Sequence, residues 1–220
     1  MGVVRFGIPQ QLVLWARDTF GARRFVETGT NRAVTAVWAA EHFAHVITIE
    51  GQRELYEANV NAYGHRTNLT FLVGDSRKQL APALASFDGP AVIWLDAHWC
   101  GEGTFGVTTQ CPVIEEVAAV NRSHPGHVIL IDDARFFTAT PNRACRATDW
   151  PGFLEVAAAL SCGPTPRYAV ILEDVIVAVP AAGRDTLNEY VRSANDAASK
   201  PVAKPLWRRS LNRIARAISS

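Results

Sequence analysis

The sequence predicts an α/β fold: a doubly wound sheet of seven strands, mostly parallel, with a terminal antiparallel hairpin. Three observations carry this. Short apolar runs alternate with helix-length segments along most of the chain, the pattern of β-α-β units. Two runs, Ala91-Val-Ile-Trp-Leu-Asp96 and His127-Val-Ile-Leu-Ile-Asp132-Asp133, are continuous and β-branched, as in strands buried on both faces of a parallel sheet. The last two runs are separated only by Glu173-Asp174. Strands joined so tightly pair antiparallel, because a parallel crossover needs roughly a dozen residues or more.

In order, an opening helix is read over residues 8–20 and a first strand over 24–28. A helix from about 31 to 43 leads to a strand at 45–50, a helix at 53–62 and a strand at 69–73. A short helix at 78–85 precedes the strand at 91–96. A Gly-rich loop then runs to Pro112, and proline suits the first turn of a helix, so a helix is read over 112–121. The strand at 127–132, a helix at 153–161 and the hairpin strands at 168–172 and 175–179 complete the sheet. A polar helix at 184–196 follows, then a Pro-broken linker at 199–205. Residues 206–220 form a basic amphipathic pattern, with Leu211, Ile214 and Ile218 at helical spacing. The expected organisation is one α/β domain over 1–198 and a basic C-terminal helix extension over 199–220.

At 220 residues and 48% hydrophobic, the chain suits one cored domain better than two. No segment approaches the roughly 20 apolar residues of a membrane span. The N-terminus lacks the charged start and long apolar stretch of a signal peptide. Cys100, Cys111, Cys145 and Cys162 are widely spaced, without a C-x-x-C pair, so neither a zinc module nor a disulfide framework is expected. Thiols of a reducing cytosol, and hence a cytoplasmic protein without stable membrane insertion, are the expectation. The net charge of +1 hides an asymmetry, since Lys200, Lys204, Arg208, Arg209, Arg213 and Arg216 crowd a tail that has no acids. The remainder is acidic, which argues against nucleic acid as partner. The tail has three readings: a packing helix, in cis or across a homodimer; a helix resting on an anionic membrane surface; or a solvated end. The packing helix is favoured.

In an open α/β sheet, ligands bind beyond the carboxyl ends of the strands. Asp96, Asp132 and Asp133 therefore share the working edge. Three carboxylates gathered there repel unless something positive sits between them, and a hard divalent cation is the simplest candidate. The first strand ends Glu27-Thr28-Gly29-Thr30-Asn31, where a glycine in the turn lets backbone approach a ligand closely. The second ends in Glu50, whose carboxylate can accept hydrogen bonds from a ribose diol. The third runs into Gly74-Asp75-Ser76, where an acceptor can meet an adenine amino group. Each has a plain structural alternative: a solvated carboxylate for Glu27, a tight turn for Gly29, a helix N-cap for Asp75. Their order at successive strand ends points to a nucleotide site.

The segments ETGT (27–30), TIE (48–50), GDS (74–76), WLDAHW (94–99) and ILIDDARFF (129–137) together resemble class I S-adenosylmethionine-dependent methyltransferases, whose fold is Rossmann-like. The closer similarity is to the metal-dependent sugar and macrolide O-methyltransferases of the macrocin and novobiocin type, over roughly residues 20–180. Catechol O-methyltransferases share a similar metal arrangement. The resemblance implies that Glu27, Thr28, Gly29, Thr30 and Asn31 place the methionine part of the cofactor. It assigns the ribose to Glu50 and the adenine to Asp75 with Ser76, and Asp96 borders the cofactor as well. The metal triad it implies is Asp96, Asp132 and Asp133. One departure stands out: many class I enzymes have a richer glycine turn, whereas here Gly29 is followed by Thr30-Asn31-Arg32-Ala33. Gly101-Glu-Gly103-Thr-Phe-Gly106 matches a dinucleotide fingerprint literally but follows the fourth strand, with Gly126 where an acid would be needed. A mobile substrate lid fits it better.

The expected chemistry is methylation of a hydroxyl on a sugar, glycan or glycosylated metabolite. A sugar hydroxyl is a poor nucleophile near neutral pH, and Mg²⁺ on two adjacent substrate oxygens would acidify one and direct it. Asp96 and His98 are the expected catalytic pair, with His98 as general base. Trp99, Arg135, Phe136 and Trp150 are candidate acceptor-pocket residues, and core packing is an equal reading for the tryptophans. A soft metal site from His98, Cys100 and Cys111 lacks a fourth ligand and zinc spacing. The rivals are a metal-independent methyltransferase using His98 alone, a nicotinamide-dependent oxidoreductase and a non-catalytic nucleotide-binding module.

Overall fold

The computed structural model describes residues 7–98, 109–141 and 143–199. Its strands are β1 (Arg24–Thr28), β2 (His45–Glu50), β3 (Leu69–Val73), β4 (Ala91–Leu95), β5 (Val128–Ile131), β6 (Arg167–Leu172) and β7 (Val175–Pro180). The helices are α1 (Gln10–Phe20), α2 (Val34–Ala40), α3 (Arg53–Tyr63), α4 (Ser76–Ala85), α5 (Val113–Asn121), α6 (Arg135–Thr138), α7 (Phe153–Ser161) and α8 (Arg184–Ser199). The chain divides into two compact units, Met1–Arg184, which holds the sheet, and Asp185–Ser220. Among the described residues no helix is long and apolar enough to cross a membrane. The expected helix at 206–220 lies outside the described residues, as do Trp99, Cys100 and the Gly-rich segment at 101–106.

One seven-stranded sheet forms, in the order β3-β2-β1-β4-β5-β7-β6. The first five strands are parallel, and β7 runs antiparallel to both β5 and β6. The continuous apolar runs become central strands because both their faces are covered. Ile93, Leu95, Ile129 and Ile131 join α4, α5 and α7 side chains such as Leu80, Val117 and Leu160 in one core. Val92, Trp94 and Leu130 point to the opposite face and are buried as well. Each such side chain contributes roughly 1.5–3 kcal/mol when fully buried. The hairpin turn is Glu173 (φ 49°) and Asp174 (φ 67°), the double left-handed geometry that matches strand twist in a two-residue connection.

The register fixes where the site lies. Thr28 pairs with both Ile49 and Leu95, and Leu95 pairs with Ile131, so the strand ends are level. The ladder runs one residue further: Asp96 N–H donates to Thr28 O at 3.1 Å, and Asp132 N–H to Leu95 O at 3.1 Å. Strand order reverses between β1 and β4, the switch point where such sheets open a crevice.

Three local features differ from expectation. Helix α2 starts at Val34 rather than near 31, because Asn31 (φ 47°) and Ala33 (φ 57°) adopt left-handed backbone. At Ala33 that costs roughly 1–2 kcal/mol. The short α6 and a 3₁₀ turn at Ala147–Asp149 interrupt what reads as loop. Helix α4 begins two residues earlier than expected, because Asp75 caps it by accepting from Arg77 N–H.

Candidate active site

A cavity opens at the switch point, beyond the carboxyl ends of β1, β2, β3 and β4. Gly29 and Asn31 of the first turn, Glu50 and Gln52 of the second, and Gly74, Asp75, Ser76 and Arg77 of the third line one half. Asp96, Ala97, His98, Thr109 and Asp133 line the other.

On the first half, Gly29 (φ 84°) is required by space as well as by conformation. A Cβ there would lie 2.2 Å from the Asp96 carbonyl oxygen, so only glycine lets the β1 turn sit against the end of β4. Glu50 is buried and shapes the turn: its Oε2 accepts from Asn31 N–H at 2.8 Å and its Oε1 from Gln52 N–H at 2.9 Å. Asn59 Nδ2 donates to Asn31 O at 2.7 Å and closes the same loop. These bonds explain the left-handed Asn31. Each Glu50 oxygen keeps a lone pair for a ligand hydroxyl.

Glu27, Thr28 and Thr30 stand behind this wall rather than in it. Glu27 accepts from Thr48 Oγ1 at 2.6 Å, and Thr48 Oγ1 lies 2.6 Å from Thr30 Oγ1. Burial pushes the Glu27 carboxyl up to about 8, against the Thr48 hydrogen bond, with the charge of Asp96 adding to the rise. The solvated-loop alternative for Glu27 therefore fails. Asp75 is an N-cap, and its carboxylate also takes the Arg77 guanidinium at 2.6 Å. That hydrogen-bonded pair holds Asp75 below the usual carboxylate range, although burial opposes it. Ser76, buried at the first position of α4, lies beside it on the cavity wall.

The second half is organised around His98, whose side chain is 5% exposed. Its Nε2 lies 3.0 Å from Asp133 Oδ2 and 3.5 Å from Asp96 Oδ1. Burial pushes the imidazole down, but the Asp133 bond and the charges of Asp96, Asp133 and Asp132 outweigh it and hold the pKa above its ordinary value. Asp133 is raised by burial and lowered more strongly by His98 and Arg135, and ends below the usual range. Asp96 and Asp132 are less well compensated. Burial pushes Asp96 up to about 6, with His98 opposing and Asp133 reinforcing. Burial, Asp96 and Asp133 push Asp132 up to about 7.

The acidic edge is thus assembled, with an arrangement the sequence did not foretell. Asp96 and Asp133 face the cavity, and Asp132 does not line it. Asp132 Oδ1 accepts from Asp133 N–H at 2.8 Å. Among the described residues, no group of three His, Cys, Asp or Glu side chains is placed to hold a metal ion, and Asp133 turns to His98 and Arg135. The donor chemistry still suits a hard cation: all the carboxylates are oxygen donors, and burial keeps Asp96 and Asp132 raised in spite of the nearby His98. Of the soft-site residues, Cys100 lies outside the described residues, and burial pushes the Cys111 thiol up to about 12.

Two candidate acceptor residues are engaged elsewhere. Arg135 Nη1 pairs with Asp133 Oδ1 at 2.6 Å and with the Asp174 carboxylate, so its charge is neutralised within the protein. Trp150 is 7% exposed and packs edge-on against His98 at 5.3 Å and Phe136 at 5.1 Å between ring centroids. It backs the imidazole instead of presenting a face to the cavity. Sequence reasoning missed Arg77, Gln110, Glu116 and Asp174. Gln110 Oε1 accepts from Arg146 N–H at 2.6 Å and ties down the segment that carries Trp150. Glu116, 1% exposed on α5, is pushed by burial up to about 7, with Ser76 and Thr28 drawing it down. Its place on an apolar helix gave the one available signal, an acid among Val113, Val117 and Val120.

A parallel sheet of this order, closed by an antiparallel hairpin and opening a cavity at the β1–β4 switch, is the fold of the class I S-adenosylmethionine-dependent methyltransferases. Solved structures of that class superpose on the chain. A Podospora anserina methyltransferase bound to S-adenosylhomocysteine is 15% identical, with 80% of this chain and 79% of that one covered and a TM-score of 0.53. An amino pentose methyltransferase of Micromonospora echinaspora, bound to S-adenosylmethionine, is 14% identical over 78% of this chain and 89% of its own, with a TM-score of 0.53. A sugar N-methyltransferase of a Streptoalloteichus species is 15% identical over 80% and 88%, with a TM-score of 0.53. No protein-family model and no curated protein matches the sequence. The likeness is therefore one of fold.

Proposed function

We propose that the protein is an S-adenosylmethionine-dependent O-methyltransferase acting on a hydroxyl of a sugar, glycan or glycosylated metabolite, with a divalent cation, Mg²⁺, at its acidic edge. The observation that carries this reading is a cavity that joins two kinds of wall. Glu50 with the Gly29–Asn31 turn lies on one side, and Asp96, His98 and Asp133 on the other. The first wall suits a nucleoside with a ribose diol, the second an acceptor oxygen that must lose a proton. Two of the similar folds belong to sugar methyltransferases, which supports a sugar-type acceptor.

S-adenosylmethionine would supply an electrophilic methyl group. The chain's own part is alignment and proton handling. Gly29 and Asn31 backbone and Glu50 would anchor the cofactor on the first wall, leaving the second wall to align an acceptor hydroxyl for in-line attack. His98 would take the hydroxyl proton as the acceptor oxygen bonds the methyl carbon and the carbon–sulfur bond breaks, its electron pair going to the S-adenosylhomocysteine that leaves. Asp133, 3.0 Å from His98 Nε2, orients the ring and stabilises the imidazolium that results. Trp150 behind the ring limits its tilt and keeps water away. Asp96, Asp132 and Asp133 would hold Mg²⁺, which acidifies a bound hydroxyl.

A metal-independent methyltransferase is the second reading, favoured by His98 standing between Asp96 and Asp133. One experiment separates them. Purified protein is incubated with S-adenosylmethionine and a panel of glycan and polyol acceptors, with Mg²⁺ or after exhaustive chelation, and products are screened by mass for the gain of one methyl group. Transfer that disappears on chelation and returns with Mg²⁺ supports the first reading. Transfer that survives chelation supports the second. Failure to bind S-adenosylmethionine in calorimetry overturns both.

A further inference from the structure

The β6–β7 hairpin turn reaches back into the acceptor side of the site. We propose that Asp174, acting through Arg135, is a positioning residue that fixes Asp133 and thereby the orientation of His98; this rests on the methyltransferase reading above.

Asp174 is a turn residue by sequence, yet its side chain is only 6% exposed. A hairpin needs left-handed backbone at this position and nothing more from the side chain. Here the residue makes three connections to the segment after β5. Its backbone carbonyl accepts from Ala134 N–H at 2.8 Å, its Oδ1 accepts from Arg135 N–H at 2.9 Å, and its Oδ2 pairs with Arg135 Nη1. The same Nη1 meets Asp133 Oδ1 at 2.6 Å, so one guanidinium nitrogen bridges the two carboxylates. The other Asp133 oxygen is the one that meets His98 Nε2 at 3.0 Å.

Asp133 needs such support. It is a non-glycine residue at φ 55°, a conformation that costs roughly 1–2 kcal/mol and persists only where its surroundings determine it. Arg135 alone would not suffice, because a guanidinium on a flexible stem can follow the Asp133 carboxylate wherever it goes. Anchored at Asp174 and stacked 4.6 Å from the Phe136 ring centroid, it becomes a fixed post. The chain Asp174–Arg135–Asp133–His98 therefore runs from a buried turn side chain to the cavity through charge-assisted hydrogen bonds.

Asp174→Asn tests this, since asparagine tolerates left-handed backbone and keeps the Oδ1 acceptor while removing the charge that holds Arg135. The expected result is unchanged S-adenosylmethionine affinity by calorimetry with kcat reduced about ten- to a hundredfold, the scale of a misplaced catalytic group. Asp174→Glu should recover part of the loss. Arg135→Gln should give a similar loss that is not additive with Asp174→Asn. Independently of turnover, the imidazole ¹⁵N resonances of His98 should move in Asp174→Asn. A variant with lowered melting temperature but wild-type kcat and unmoved His98 resonances would overturn the proposal and leave Asp174 as a turn residue. Wild-type protein that transfers no methyl group, with His98 resonances that still respond to Asp174→Asn, would sink the proposed function and leave the positioning network standing.

Discussion

Replacing Asp132 by asparagine should make the ligand-free protein more stable at mildly alkaline pH. Burial, reinforced by the charges of Asp96 and Asp133, pushes this carboxyl from 3.8 up to about 7. A group whose folded pKa lies above its unfolded one favours the fold below the unfolded value and loses that contribution as pH rises through the folded value. The cost of ionised Asp132 is therefore absent below pH about 3.8 and fully developed above about 7. A rise of about three pKa units corresponds to roughly 4 kcal/mol. Asparagine carries no charge, keeps the Oδ1 that accepts from Asp133 N–H at 2.8 Å, and removes the repulsion with Asp96. Urea unfolding of both proteins under chelating conditions, at pH values near 8, 6 and 4, measures the difference directly. Asp132→Asn should lead by about 2–4 kcal/mol near pH 8 and by less than about 1 kcal/mol near pH 4. It should also be impaired in methyl transfer, since stabilising an active site by removing its charge commonly costs function. A variant less stable than wild type at pH 8, or a difference that does not change with pH, would refute the reasoning.

Two further outcomes follow from the same structure. Gly29→Ala forces a Cβ to 2.2 Å from the Asp96 carbonyl oxygen at a φ of 84°, so the β1 turn and the end of β4 must separate. Strain and overpacking should together cost roughly 2–5 kcal/mol, read as a lower melting temperature, with S-adenosylmethionine affinity in calorimetry reduced tenfold or more. His127, at the opposite edge of the sheet, is buried, and its Nδ1 accepts from Ala91 N–H at 3.0 Å. Burial, with the positive charges of His124 and Arg167, lowers it from 6.5 to about 4. Its contribution is present above pH about 6.5 and lost as pH falls through about 4, an amount of roughly 3 kcal/mol. His127→Asn keeps an acceptor near Ala91 but does not titrate, so the wild-type advantage in urea unfolding should shrink by about that much between neutral pH and pH 4. An advantage that stays constant would place the proton elsewhere.

The fold was legible where local sequence and burial agree. Residues 91–95 and 128–131 read as strands because a continuous β-branched run has no polar face to present to water, and both faces are covered. The hairpin was legible from the two-residue gap at Glu173-Asp174. What escaped was decided by contacts distant in sequence. Asn31 and Ala33 reverse the start of α2 because Glu50 and Asn59 hold the Asn31 backbone, and nothing in Thr30-Asn31-Arg32-Ala33 announces that. The edge acids were legible through strand ends alone. Their partners were not: Arg135 looks like a free cation beside a cavity, and only the return of the hairpin brings Asp174 against it. Trp150 could have been core or pocket by sequence, and its packing between His98 and Phe136 decides for core.

The two runs ending in acids also explain why the site is electrostatically tense. Asp96 and Asp132 each stand one residue beyond a fully buried strand, after Leu95 and Ile131, and their own N–H groups are still in the ladder. The sheet that gains from burying those apolar residues holds the adjacent carboxylates away from water. A carboxylate on a long loop would have turned outward instead. With Asp96 held up to about 6, Asp132 to about 7 and Glu27 to about 8, burial first among the causes for each, ionising these acids works against folding. Each such group costs several kcal/mol, while a whole domain is stable by only about 5–15 kcal/mol. Positive charge brought to this edge lowers that cost, whether it comes from a protonated His98, a divalent cation or a sulfonium centre. A ligand that carries or recruits such charge therefore binds with part of its free energy drawn from relieved repulsion, and it should raise the protein's stability most at the pH where the acids are fully ionised.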